Sequence, residues 1–352
     1  MTLEEAVRQT EEADKSAKAL ARARWDKVAK PLNSLGVLEE DIVRIAGAQG
    51  DPAVSLEEKW IAVMCSDNGI VEEGVTQTGQ SVTGIVAENM AKGTSCVCRM
   101  AACAGANVFP VDVGIAGDIH VPGLLQRKTA YGTGNFLKGP AMSRSQAIEA
   151  LQTGIEVASM LKEKGCRLAG TGEMGIGNTT TASAVISVLL GKEPEEVTGR
   201  GAGLSLEGYR RKVEVIKQGI SLHRPDASDA IDVLSKVGGF DLAALTGFYI
   251  GCSARKLPVV LDGLITGAAA LAAVTICPNT KDYLIASHVS AEPAGAMVLE
   301  ALELQPAIRA GMCLGEGTGA AAIFPLLDMA AVIYHDMGSF EDIKVEQYQH
   351  LI

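Results

Sequence analysis

The sequence predicts an α/β fold, a parallel sheet with helices on both faces, on three observations. Short apolar runs recur along the chain, each ends at a loop of Gly, Ser, Asp or Glu, and Ala-rich helical stretches follow. Apolar residues are 47% of the 352 while aromatics are only 4%, so the core must be built from Ala, Val, Leu and Ile. The 39 glycines fit closely packed helices and strands. The expected sheet is Rossmann-like and lies in a large domain, residues 59–326. A small helical domain is expected from residues 1–58, with 327–352 packing back onto it.

The elements follow in order. The first 60 residues are helical in pattern, and "KPLNSLGVLEE" (30–40) is a turn into a helix. "WIAVMCS" (60–66) is the first strand, ending at the polar loop 67–83, and "ANVFPVDVGI" (106–115) is the second. "GCRLAGTG" (165–172), "LPVVLDG" (257–263), "YLIASHVS" (283–290) and "AGMCLGEG" (310–317) continue the series of strands. The apolar run 257–277 nearly reaches membrane-span length, but it contains Asp262, two glycines and many alanines. It reads as a buried strand running into a buried Ala-rich helix. The closing "FEDIKVEQYQHLI" is amphipathic and suited to pack on the N-terminal helices.

Charge and cysteines narrow the function classes. A formal charge of −11 argues against nucleic-acid binding and against a polybasic membrane contact, but leaves room for a small anionic ligand. The charged, helical N-terminus is no signal peptide. Eight scattered cysteines read as reduced core thiols of a cytoplasmic protein. The Cys96–Cys98 pair lacks a second ligand pair and no H-E-x-x-H occurs, so no metal site is expected.

The most informative stretch is "GTGEMGIGNTTTA" (170–182). Gly170, Gly172 and Gly175 fit the dinucleotide fingerprint, whereas Gly172, Gly177 and Thr179 fit a P-loop with Asn178 in place of its lysine. The dinucleotide reading needs a second strand ending in an acid, but "TTASAVISVLL" (180–190) leads into "GKEPEEVTGRG", which leaves Glu193 no sheet position. Without the lysine, the loop suits a monophosphate held by N–H groups at a helix N-terminus. A Gly-rich turn for close strand–helix packing is the competing reading. Glu173 inside the loop would repel a phosphate and suits a sugar hydroxyl or a heterocycle instead. Glu316, between Gly315 and Gly317, repeats the arrangement. Two carboxylates on glycine hinges fit base-and-positioner chemistry; the competing reading of each taken singly, a helix cap or a bond to backbone amides, is lowered by their pairing.

Over residues 28–340 the chain resembles the nicotinate-nucleotide–dimethylbenzimidazole phosphoribosyltransferase family. The specific segments are "GEMGIGNTTTASA" (172–184) and "CLGEGTGA" (313–320), supported by "GVTQTGQSVT" (74–83), "TGRGAGL" (198–204) and "ASHVSAEP" (286–293). The resemblance implies transfer of 5-phosphoribosyl from nicotinate mononucleotide to an aromatic lower-ligand base, with nicotinate released and no metal or other cofactor needed. It implies Glu316 as general base, Glu173 as the second active-site glutamate and Gln80 at the acceptor. Gly175, Gly177, Asn178 and Thr179 would lie near the ribose phosphate. Arg200 and Gly201, with Ser287 and Ser290, would complete the donor side, and Gly315 would flank the base. A homodimer is implied, with a heterodimer of paralogues as the alternative.

The sequence departs from the family pattern, and the changes at Asn68 and Gly79 fall at the acceptor pocket. Asp67-Asn68-Gly69 stands for Asp-His-Gly, Thr78-Gly79 for Tyr-Pro, Val37 for an arginine, and Pro293-Ala294-Gly295 for a Gly-His stretch. A phenolic acceptor, or a supporting role beside an active paralogue, are the alternatives these departures leave. The presence of both glutamates favours a catalytic subunit.

Overall fold

A computed structural model describes residues 1–350. Six parallel strands form one sheet: β1 (Lys59–Ser66), β2 (Ala106–Gly114), β3 (Leu125–Gln126), β4 (Leu168–Met174), β5 (Val259–Leu261) and β6 (Leu284–Ala286). Their order is β3-β2-β1-β4-β5-β6, so the winding reverses between β1 and β4. A reversal of this kind opens a crevice at the C-terminal strand ends.

Strand alternation explains why both faces need helices. Ile61, Val63 and Cys65 of β1 enter one apolar cluster, whereas Ala62 and Met64 enter the other. Both sets are fully buried, which a solvated face could not satisfy. On the first face lie α2 (Lys15–Lys27), α3 (Val37–Gln49), α4 (Ser81–Ala91), α5 (Cys96–Cys103) and α14 (Thr318–Asp336). The other face carries α1 (Leu3–Gln9), α6 (Arg144–Glu163), α7 (Asn178–Leu190), α10 (Ala230–Val237), α11 (Phe240–Ala254), α12 (Leu264–Ile276) and α13 (Gly295–Ala301). The short α8 (Pro194–Val197) and the amphipathic α9 (Leu206–His223) cover α7.

Few aromatics force close contact between main chains. At the α6–α11 crossing, a Cβ on Gly247 would stand 2.6 Å from the carbonyl carbon of Leu151. Only glycine lets the two helices approach that far. The 257–277 run is a buried strand and helix, β5 and α12, as the sequence indicates. Among the described residues, α14 is long and apolar enough to cross a membrane, yet over half of its most apolar stretch is buried against the sheet and α3.

One expectation, the sixth strand, is corrected. Residues 310–317 form no strand; the nearest pairing is a single bridge between His288 and Ile308. The glycines at 311, 315 and 317, all with positive φ, break the extended backbone a strand needs. The sixth strand is instead β3, two residues long and too short to show a pattern. The 340–350 segment forms no helix and is largely exposed. It meets the end of α2 through the Phe340 N–H to Lys27 carbonyl bond (3.1 Å), and through His350 Nε2 to Asp26 Oδ1 (3.0 Å).

Candidate active site

The two glycine-rich loops converge because their backbones touch. A Cβ on Gly172 would stand 2.6 Å from the Glu316 carbonyl carbon and 2.8 Å from the Gly317 nitrogen. One on Gly317 would stand 3.2 Å from the Thr171 oxygen. The bare backbone of β4 therefore serves first to seat the second loop, and the packing reading of these glycines is correct for Gly172.

Gly315, Glu316 and Gly317 have φ of 85°, 61° and 99°. Left-handed backbone costs a non-glycine residue roughly 1 kcal/mol, and such residues cluster at functional sites. Asp262, at the end of β5, stabilises this turn. Its Oδ2 accepts the Gly317 N–H at 3.0 Å and its Oδ1 the Gly319 N–H at 2.6 Å, so it caps α14, which has no N-cap side-chain bond of its own. Glu316 is half-buried, and its Oε2 accepts the Val97 N–H at 3.3 Å in the first turn of α5. Burial raises its pKa above the ordinary value, with the Val97 N–H opposing.

Glu173 is 6% exposed at the end of β4. Burial, reinforced by the negative charges of Asp241 and Asp262, pushes its pKa to about 8 against the bonds from Asn178 and the Glu316 backbone. The Asn178 amide donates to Glu173 Oε2 and, at 3.1 Å, to Asp241 Oδ2. Asn178 thus occupies the lysine position of a P-loop but faces two carboxylates.

A lysine reaches this loop from elsewhere in the chain. Lys212 of α9 is 1% exposed, and its Nζ donates to Thr179 Oγ1 at 2.8 Å. Burial lowers its pKa to about 8, with Glu292 opposing. Gly201 lies against the same pair, since a Cβ there would stand 3.5 Å from Lys212 Nζ. α7 itself begins at Gly177, which offers no side-chain cap to the first N–H groups.

Glu173, Glu316, Asp262, Asn178, Thr179 and Gly201 line one cavity of about 280 Å³ at the C-terminal edge of β4, β5 and β6. Val86, Met174, Ile176 and Leu314 give it an apolar lining. A cavity of this size, apolar with a few convergent polar groups, has the character of a small-molecule site. A family model described as phosphoribosyltransferase matches residues 10–345. A nicotinate-nucleotide–dimethylbenzimidazole phosphoribosyltransferase of Ruminiclostridium cellulolyticum is 48% identical over 351 residues, covering 100% of both chains.

The chain belongs to this phosphoribosyltransferase family. A relative of the same description from Clostridium acetobutylicum is 43% identical over 351 residues, again with 100% of both chains covered. The crystal structure of CobT from Thermus thermophilus superposes with a TM-score of 0.90 at 40% identity, covering 95% of this chain and 100% of that one.

Of the sequence-predicted residues, the cavity brings together Glu316, Glu173, Gly175, Asn178, Thr179, Gly201, Ser290 and Gly315. Gly177 and Arg200 line an adjoining cavity of about 90 Å³, shared with Gly175, Asn178 and Thr179. Two stand apart. Gln80 donates to the Asn68 carbonyl at 3.2 Å, and Ser287 is buried, donating to the Asp262 carbonyl at 2.8 Å. Sequence reasoning missed Lys212, Asp241, Asp262 and Glu292, while His288 lies inside the 286–290 segment expected on the donor side. Asp262 had a signal, as the only charge in an apolar run. Lys212 had none, because one basic residue on an amphipathic helix looks like a solvated face.

Proposed function

We propose that the protein transfers the 5-phosphoribosyl group of nicotinate mononucleotide to a ring nitrogen of an aromatic base such as dimethylbenzimidazole. One observation carries the reading: a single cavity holds Glu316 and Glu173, with the α7 N-terminus and the buried Lys212 beside its Thr179 wall. The names of the relatives support the same substrates.

The chemistry follows from these groups. The donor phosphate is bound by the first N–H groups of α7, by Thr179 and by Lys212, with Arg200 adding charge from the neighbouring loop. The acceptor nitrogen attacks the anomeric carbon from the face opposite nicotinate. The carbon–nitrogen bond to nicotinate breaks, and its electron pair neutralises the pyridinium ring. The acceptor's N–H proton passes to the Glu316 carboxylate, and the product has the α configuration. Partial burial makes Glu316 more basic than an exposed carboxylate, and its bond to Val97 N–H aims it.

The test is purified protein with nicotinate mononucleotide and a panel of benzimidazoles, purines and phenols, read by mass spectrometry. An α-riboside 5′-phosphate and free nicotinate are expected, with turnover that survives EDTA because a pyridinium leaves without a Lewis acid. Products with phenols alone would move the reading to the phenolic alternative, which the relatives' names do not favour.

We further propose a cytoplasmic homodimer, tested by light scattering. The eight unpaired cysteines and the exposed Met329 and Val332 on α14 support it. The two chain ends are proposed to act as one small helical unit, supported by the antiparallel bridge between Val28 and Ser339.

A further inference from the structure

Behind the cavity wall, one amide bridges two buried carboxylates. Asn178 donates to Glu173 and to Asp241, and an amide nitrogen has two hydrogens, so both are committed. Asp241 is fully buried and does not line the cavity. The groups acting on Glu173 are Asp241 from α11, Asp262 from the end of β5, the Asn178 amide and the Glu316 backbone; the nearby Cys65 of β1 points to the other face of the sheet. On Asp241 they are Asn178, the Leu242 N–H (2.9 Å to Oδ1) and Asp67. None of these is a cation. Two anions sharing one amide without a cation are too costly to bury, so one of them keeps its proton.

The geometry selects which one. Asp241 lies in the first turn of α11, where the helix N-terminus and the Leu242 N–H favour the anion. Besides Asn178, Asp241 receives two backbone N–H groups, its own and that of Leu242, whereas Glu173 receives only that of Glu316. We propose that Asp241 is a positioning residue whose charge, bridged through the Asn178 amide, keeps Glu173 in its neutral form, so that Glu173 meets the substrates as a hydrogen-bond donor. The values agree, about 6 for Asp241 and about 8 for Glu173. Asn178 engages Oε2, which leaves the proton on Oε1. That oxygen lies against Gly315, where any Cβ would collide with it, and both residues line the cavity. A neutral donor suits a substrate that brings its own carboxylate and phosphate, since a second anion would repel both.

The proposal rests on Glu173 belonging to the substrate site, and the experiment separates the two ideas. Turnover number is measured against pH with donor and acceptor saturating, which removes the titration of Lys212 from donor binding. Wild type loses turnover on the alkaline side as Glu173 ionises, and Glu173→Gln, always neutral, flattens that limb. Asp241→Asn moves the limb to lower pH by on the order of one unit, so its turnover relative to wild type falls as pH rises from about 6. An unmoved limb in Asp241→Asn, or an equal loss at every pH, overturns the proposal. A limb that survives Glu173→Gln overturns the assignment of Glu173 to the site instead. If Asp241→Asn does not fold, difference infrared spectroscopy on wild type decides. A protonated carboxyl stretch at pH 7 that disappears in Glu173→Gln is expected, and its absence from wild type overturns the proposal.

Discussion

Gly172 and Glu316 meet backbone to backbone, with no room for a side chain on the glycine. The contact joins β4 to the loop before α14 and so fixes the distance between the two glutamates. Gly172→Ala should destabilise the fold by about 1–3 kcal/mol through overpacking, with activity falling alongside. Gly139→Ala, where a Cβ would meet nothing within 4 Å, is the control and should change neither. Thermal unfolding of both variants checks this.

Glu316→Gln should be the most damaging conservative change. The amide keeps the shape and still accepts the Val97 N–H, but it cannot take the proton. Loss of a general base lowers rate by roughly 10²–10⁴-fold, while the donor should still bind. Glu173→Gln should cost less near neutral pH, since an amide N–H replaces part of what the carboxyl does. Steady-state kinetics with donor titration compare the two.

Lys212→Met should weaken donor binding and leave turnover at saturation much less affected. Met keeps the buried volume and removes one charge-assisted bond, worth about 1.5–3 kcal/mol, or roughly ten- to hundredfold in affinity. The same loss with a donor lacking the phosphate would mean that Lys212 serves packing alone.

Stability should decline as pH rises from about 5 to 8. The pKa of Glu173 is raised from 4.5 to about 8, and those of Asp241 and Asp262 from 3.8 to about 6. The folded state therefore holds protons that the unfolded state releases. Their contribution is complete below about pH 4 and is lost as pH climbs through 6 and then 8. The melting temperature should fall by a few degrees across that window. Glu173→Gln should flatten the upper part of the decline; an unchanged slope would mean that Glu173 is solvated.

The sequence by itself determined the local architecture. Apolar runs ending in polar loops located β1, β2, β4, β5 and β6, because a buried parallel strand must be apolar throughout. The two Gly–Glu loops were legible because glycine where the chain turns leaves a strong local mark. Between Gly311 and Gly317 that mark was misread as a strand end, when the positive φ values had already broken the strand. Tertiary structure decided what no local pattern encodes. Lys212 reaches Thr179 across 33 positions of chain, Asp241 reaches Asn178 across 63, and Asp262 caps α14 across 55 and 57. Each is a charged residue whose role arises when packing removes water and brings a distant partner to it. Periodicity reports which face of an element is buried. It carries no record of which distant polar group will be there to meet it.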